Sequence, residues 1–191
     1  MSNRMTRITP DRMTPEQAEY YAEVTADTFK HAVPNPPGGG LNGPPGTWLL
    51  SPQLGRAFRQ TYRAFRNDTL LTPRCRELAI LIHAAHRQSA FELHAHRLIA
   101  LRDGLSADEV EDAVSHTLPA TASAEEQAVF RTALALVRNR ELTDDEYTDA
   151  VAALGERKLF ELLSLIGFFD LLATQLSVFG VEPPVGDAAQ G

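Results

Sequence analysis

The stretch HRQSAFELHAH, residues 86–96, gathers three histidines and a glutamate in a chain that has six histidines altogether. Imidazole gains and loses a proton near neutrality more readily than any other side chain, and a neighbouring carboxylate can orient it. Such a set could ligate a metal, run acid–base chemistry, or serve structure alone. On a helix beginning near Ser89, Glu92 and His96 stand four residues apart on one face, with Ser89 above them. His94 lies about 200° round the helix from His96 and points elsewhere. His83 and His86 fall on the preceding helix or at the break after it.

Zinc on a helix favours two histidines at i and i+4, as in H-E-x-x-H. Here the pairs are spaced three (His83, His86) and two (His94, His96), so no metal is expected. There is also a purely structural reading. Ser89 and Glu92 spell S-x-x-E, the capping box, in which the glutamate reaches back to the N–H of its cap. His96 would then be a buried imidazole satisfied by that glutamate. Spacing alone leaves both readings open.

The elements that must hold these residues read as helices throughout. Pro15 to His31 predicts a first helix, followed by the turn-rich PNPPGGGLNGPPG, residues 34–46, which has too many prolines and glycines to continue it. Ser51-Pro52 and Thr72-Pro73 open the next two, each with a hydroxyl cap and a proline in the first turn. Leu78, Leu81, Ile82 and Ala85 form an apolar stripe on the second of these. A fourth helix runs from Ser89 to Gly104. Ser106/Glu109, Ser123/Glu126 and Thr143/Glu146 repeat the capping-box spelling and start three more. Gly155 closes the last of those, and an eighth helix extends from about Glu156 to Gly180, apolar on nearly every side. The expected fold is all-α, about eight helices in a single domain over 1–191. Residues 1–33 form an N-terminal helical extension, and 34–47 a Pro/Gly-rich loop.

Composition narrows the partners. With 25 acidic against 18 basic side chains, the formal charge is -7. Nucleic-acid binding draws its strength from Lys and Arg neutralising phosphates, so no nucleic-acid partner is expected. A small anionic substrate held by a few local arginines is compatible, with Arg74, Arg76, Arg87 and Arg97 nearest the motif. The lone Cys75 rules out an internal disulfide and a cysteine zinc site and suits a reducing cytosol. The stretch LFELLSLIGFFDLLATQLSVFG, residues 159–180, is long enough to span a bilayer, but Glu161, Asp170 and Gln175 interrupt it. No signal peptide is recognisable at the start, so a cytoplasmic protein without a membrane partner is expected.

The segment LNGPPGTWLLSPQLGRAF and, after it, LTPRCRELAILIHAAHRQSAFELHAHRLIALRDGLSADEVEDAV resemble the carboxymuconolactone decarboxylase and alkylhydroperoxidase D family. The parts that carry this are Trp48-Leu49 before Ser51-Pro52, R-E-L-A-I-L (76–81), F-E-x-x-x-H (91–96) and G-L-S-x-x-E-V (104–110). The resemblance covers the chain from about residue 38 and implies an alkylhydroperoxidase D-like helical bundle that forms a homo-oligomer, a trimer or hexamer. Its peroxidase branch carries Cys-x-x-Cys where this chain has Ser89 and Glu92, so the thiol peroxidase route is not expected.

The decarboxylase branch needs no thiol and no cofactor. The resemblance implies a carboxylated unsaturated lactone, whose carbonyl accepts the electron pair left when carbon dioxide departs. His96 takes the position of the histidine that closes the motif, and Glu77 that of the glutamate in R-E-L-A-I-L. The expected roles follow: His96 carries the proton, Glu77 and Glu92 orient it, and His86 is a second candidate acid. Trp48, Ser89, Arg97 and His83 are the expected substrate contacts. Two other functions compete with this one. One is an isomerase, cyclase or other proton-transfer enzyme on the same fold, and the other a non-catalytic oligomeric binding protein.

Overall fold

A computed structural model describes residues 4–26 and 33–184. Among them are eight α-helices, one 3-10 turn at Pro10–Arg12, and no strand. The helices are α1 Pro15–Thr25, α2 Gly43–Trp48, α3 Pro52–Asn67, α4 Pro73–His86, α5 Ala90–Arg102, α6 Ala107–Val114, α7 Ala124–Asn139 and α8 Asp144–Phe179. The all-α architecture is as the sequence predicts.

The hydroxyl caps do what their spelling implies. Thr72 accepts the Cys75 N–H, and Ser106/Glu109, Ser123/Glu126 and Thr143/Glu146 close reciprocal boxes, as does Thr14/Gln17 at α1. Each satisfies N–H groups that a helix start leaves without intrahelical partners. The fourth spelling does not. Ser89 caps α5 with no side-chain hydrogen bond, and neither carboxylate oxygen of Glu92 has a hydrogen-bond partner.

Three expectations about boundaries change. α1 ends at Thr25, and residues 27–31 of the expected helix lie outside the described residues. The Pro/Gly-rich loop winds into α2 at its far end. Pro44 and Pro45 sit in the first turn, where no N–H is required, and Trp48 anchors the last. Gly43 opens α2 at φ 63, so close beneath the Phe91 ring that a Cβ has no room. The expected seventh and eighth helices are the two arms of α8. They are separated at Gly155, whose φ of 74 and ψ of 158 are open essentially to glycine alone.

At the centre is α4, buried continuously from Cys75 to Ala84 against α5, α6, α7 and α8. Ile80 and Ile82 join the main core with Tyr20, Val129, Leu162 and Phe169. Leu78 and Leu81 turn to a smaller cluster with Ala100, Leu105 and Val110. Full burial makes the polar residues of α4 conspicuous: Arg76, Glu77 and His83 lie among these apolar side chains. α8 is long and apolar enough by composition to cross a membrane. One face, from Leu159 through Leu176, packs inward. Its polar interruptions all have partners in the fold: Glu161 accepts the Leu70 N–H at 2.7 Å, Asp170 pairs with Arg87, and Gln175 accepts from Trp48.

Candidate active site

Antiparallel to α4, and joined to it by a turn through Gln88 at φ 52, α5 brings Glu77 and His96 together. His96 Nδ1 lies 2.7 Å from Glu77 Oε2, and Glu77 is fully buried. The other carboxylate oxygen faces Arg76 Nε at 3.3 Å and Arg66 Nη1 at 3.6 Å. Both arginines also reach Asp103, at 3.0 Å and 3.4 Å. A carboxylate held between two guanidiniums is an acceptor, so it takes the Nδ1–H and leaves Nε2 as the nitrogen available for chemistry. The ring is fixed further by Phe169, edge-on at 5.0 Å between centroids.

His96 and Glu92 both line a cavity of about 140 Å³, bounded also by Trp48, Tyr62, Phe91 and Phe169. Glu92 is 2% exposed, and neither of its carboxylate oxygens has a hydrogen-bond partner. Burial pushes its pKa up to about 7, and the nearby Ser89 side chain, His96 and Arg87 offset this only in part. Near neutrality Glu92 therefore exists in both protonation states and can donate as well as accept. Trp48 is pinned by its Nε1–H to Gln175 Oε1 at 3.1 Å and forms one wall.

The structure unites His96, Glu77, Glu92 and Trp48, with Ser89 buried beside them as the helix cap but outside the cavity lining. It does not bring His83, His86 or Arg97 there. Arg97 sits on the outer face of α5 and pairs with Glu111. His83 and His86 line a different cavity, between α4, α7 and α8, because they leave α4 on the side opposite α5. Burial lowers the His83 pKa to about 4, partly offset by Asp170 at 3.5 Å from Nε2.

Arg74, Arg76 and Arg87 are committed to Glu109 and Glu126, to Glu77 and Asp103, and to Asp170. The cations at the cavity are instead Arg59 and Arg63 of α3, beside Tyr62, whose phenol burial pushes up. Sequence reasoning missed them. Their signal was R-x-x-Y-R, residues 59–63, at the three- and four-residue step that puts all three on one helix face. Among the described residues no three His, Cys, Asp or Glu side chains converge as a metal site. Cys75 is 1% exposed, and burial raises its thiol to about 11, which leaves it a poor nucleophile.

Residues 52–135, spanning α3 to α7 and holding Glu77, Glu92 and His96, match the model of the carboxymuconolactone decarboxylase family. Over these residues, somewhat under half of the chain, the sequence is similar to that family. Two solved proteins share the fold. The alkylhydroperoxidase AhpD core of an uncharacterized peroxidase-related protein from Ralstonia eutropha JMP134 aligns with a TM-score of 0.76 at 17% identity. That alignment covers 95% of this chain and 92% of that one. The debrominase Bmp8 without ligand aligns at 0.74 and 13% identity, covering 97% and 94%. A cysteine-to-alanine form of it, in complex with 2,3,4-tribromopyrrole, aligns at 0.73 and 13% over the same shares. At these identities the likeness is one of fold. No curated protein matches the sequence. The chain has a single cysteine, Cys75, so it lacks the thiol pair of the peroxidase branch.

Proposed function

We propose that the chain is a cofactor-independent, decarboxylase-like enzyme acting by general acid–base catalysis on a small carboxylated lactone or related oxygenated acid. One observation carries the proposal: His96, held by Glu77 at 2.7 Å, shares a cavity with an unpartnered, half-ionised Glu92. The apolar walls suit a single ring, since about 140 Å³ is close to the cavity volume that accepts benzene. Arg59 and Arg63 on the lining would hold the substrate carboxylate.

In the reaction, the bond between the ring carbon and the carboxylate breaks, and its electron pair passes into the lactone carbonyl as an enolate. The neutral form of Glu92 donates a hydrogen bond to the enolate oxygen. His96 in its doubly protonated form delivers the Nε2 proton to the ring carbon, keeps its Nδ1–H on Glu77, and takes a proton back at Nε2 from water, whose hydroxide combines with the released carbon dioxide as bicarbonate. A second reading, isomerisation or cyclisation by proton shuttling, draws on the same pair of titratable groups on one face of α5. We also infer that the protein is a homo-oligomer, since the outer face of α8 exposes Phe160, Leu163 and Val178.

The test is carbon dioxide release from a panel of carboxylated unsaturated lactones. Replacing His96 with Gln in protein of unchanged circular dichroism should lower kcat/KM about 10²–10⁴-fold. An unchanged value overturns the role of His96. Product of altered mass without gas favours the isomerase reading.

A further inference from the structure

The cavity that holds His83 and His86 shares no lining residue with the one at His96, and at about 330 Å³ it is the larger. Its floor is apolar, made by Leu136, Val137, Leu163 and Ile166, and α8 passes it at Gly167, where a Cβ would meet nothing within 4 Å. Its rim is strongly basic in a chain whose formal charge is -7. Arg87, Arg138 and Arg140 face a single acid, Asp170. Arg87 Nε already occupies Asp170 at 3.1 Å, and His83 Nε2 approaches the same oxygen at 3.5 Å. That leaves Arg138 and Arg140 with no ion pair among the described residues, whereas Arg56, Arg66, Arg74 and Arg76 are all paired with carboxylates.

Two further features mark this as more than a solvated patch. Cations at the end of α7 complement its dipole, and Arg138 in the last turn suffices for that. Arg140 sits beyond it as the C-cap at φ 63, a left-handed conformation that glycine usually fills and that costs other residues free energy. Moreover, the His83 ring is buried in the same wall, and its Nδ1 has no hydrogen-bond partner. A buried polar atom without a partner is uncommon enough to call for an explanation.

We propose that this cavity is a second binding site, taking a small organic dianion whose charged groups meet Arg138 and Arg140 and whose carbon skeleton lies on Leu136, Leu163 and Ile166. The volume falls at the small end of the range for ligand sites. Two unpaired guanidiniums call for two negative charges, and the apolar floor calls for a carbon body rather than a bare ion. Dicarboxylates and phosphorylated compounds share this chemistry.

Calorimetric titration of the intact protein at low salt separates these possibilities, with adipate and glycerol phosphate as the two dianions and acetate as the monoanion. One saturable site is expected for at least one dianion, with acetate at least 10-fold weaker. Whichever dianion binds identifies the charged group as carboxylate or phosphoryl. Combining Arg138→Gln with Arg140→Gly should weaken that binding at least 10-fold, and glycine at position 140 relieves the backbone, so the fold is kept. Gly167→Leu, which fills the cavity from its other wall, should do the same. Changing both Arg59 and Arg63 to Gln alters only the first cavity and should leave the binding unchanged. The proposal fails if neither dianion saturates, if acetate binds equally well, or if affinity follows Arg59 and Arg63 instead.

Discussion

Two buried side chains respond to acid in opposite directions. The folded protein holds the Glu92 proton more tightly than the unfolded chain does, with a pKa of about 7 against an ordinary 4.5. The stability this proton confers is complete below 4.5 and lost as pH rises through 7, on the order of 3 kcal/mol at most. His83 does the reverse. Its pKa falls from 6.5 to about 4, so the unfolded chain takes up the proton first, and stability is lost as pH drops from 6.5 towards 4. Between 4.5 and 6.5 the two slopes oppose each other and partly cancel. Glu92→Gln removes one of them. Measured by urea unfolding, its stability relative to the parent should rise between pH 4 and pH 8, and its own acid sensitivity below 6.5 should be steeper than the parent's. A difference independent of pH would show that Glu92 is not neutralised by burial. At this scale the sequence was informative where residue type and motif agreed, as for Glu77 and His96. It left Glu92 open between orienting His96 and capping α5, because S-x-x-E spells a cap whether or not the serine adopts capping geometry.

At the level of elements, helix starts were legible because capping is local chemistry: a hydroxyl, three residues and an acid decide it. The short α2 was not legible, since its prolines read as breakers unless they fall in a first turn, and Trp48 is held by Gln175, more than a hundred residues away in the chain. The elements of the site were half legible. α5 was read from its own pattern, but the Arg59, Tyr62 and Arg63 face of α3 meets it only through tertiary packing. Two glycines of α8 make this dependence on context measurable. Gly155 holds the kink in a conformation closed to side chains, so Gly155→Ala should cost about 1–3 kcal/mol although the space around it is empty. Gly167 is an ordinary helical glycine, also in open space, and Gly167→Ala should stabilise by about 0.5–1 kcal/mol. Paired thermal melts decide this, and equal effects of the two substitutions would show that the kink at Gly155 is not a constraint.

On the scale of the whole molecule, the strongest remaining imbalance is the outside of α8. Its inner face supplies Leu162, Leu165, Phe169 and Leu172 to the core, while other apolar residues of the helix stay outside it. Phe160 is 68% exposed and Val178 55%, with Leu163 and Leu171 along the same outer surface. An apolar helix face in contact with water is destabilising unless another surface covers it, and a second copy of the chain supplies the same apolar stripe by symmetry. If the proposed homo-oligomer forms, α8 is the face that would build it, and light scattering after size exclusion should then give a mass that is a multiple of 21.0 kDa. Combining Phe160→Glu with Val178→Glu should return it to a single subunit, because a carboxylate buried in a closed apolar interface loses its hydration. Neither residue lines the cavity at His96, so a monomeric variant that keeps its turnover would place the chemistry wholly within one chain. A parent protein that already runs as one subunit removes the assembly while leaving the His96 site untouched.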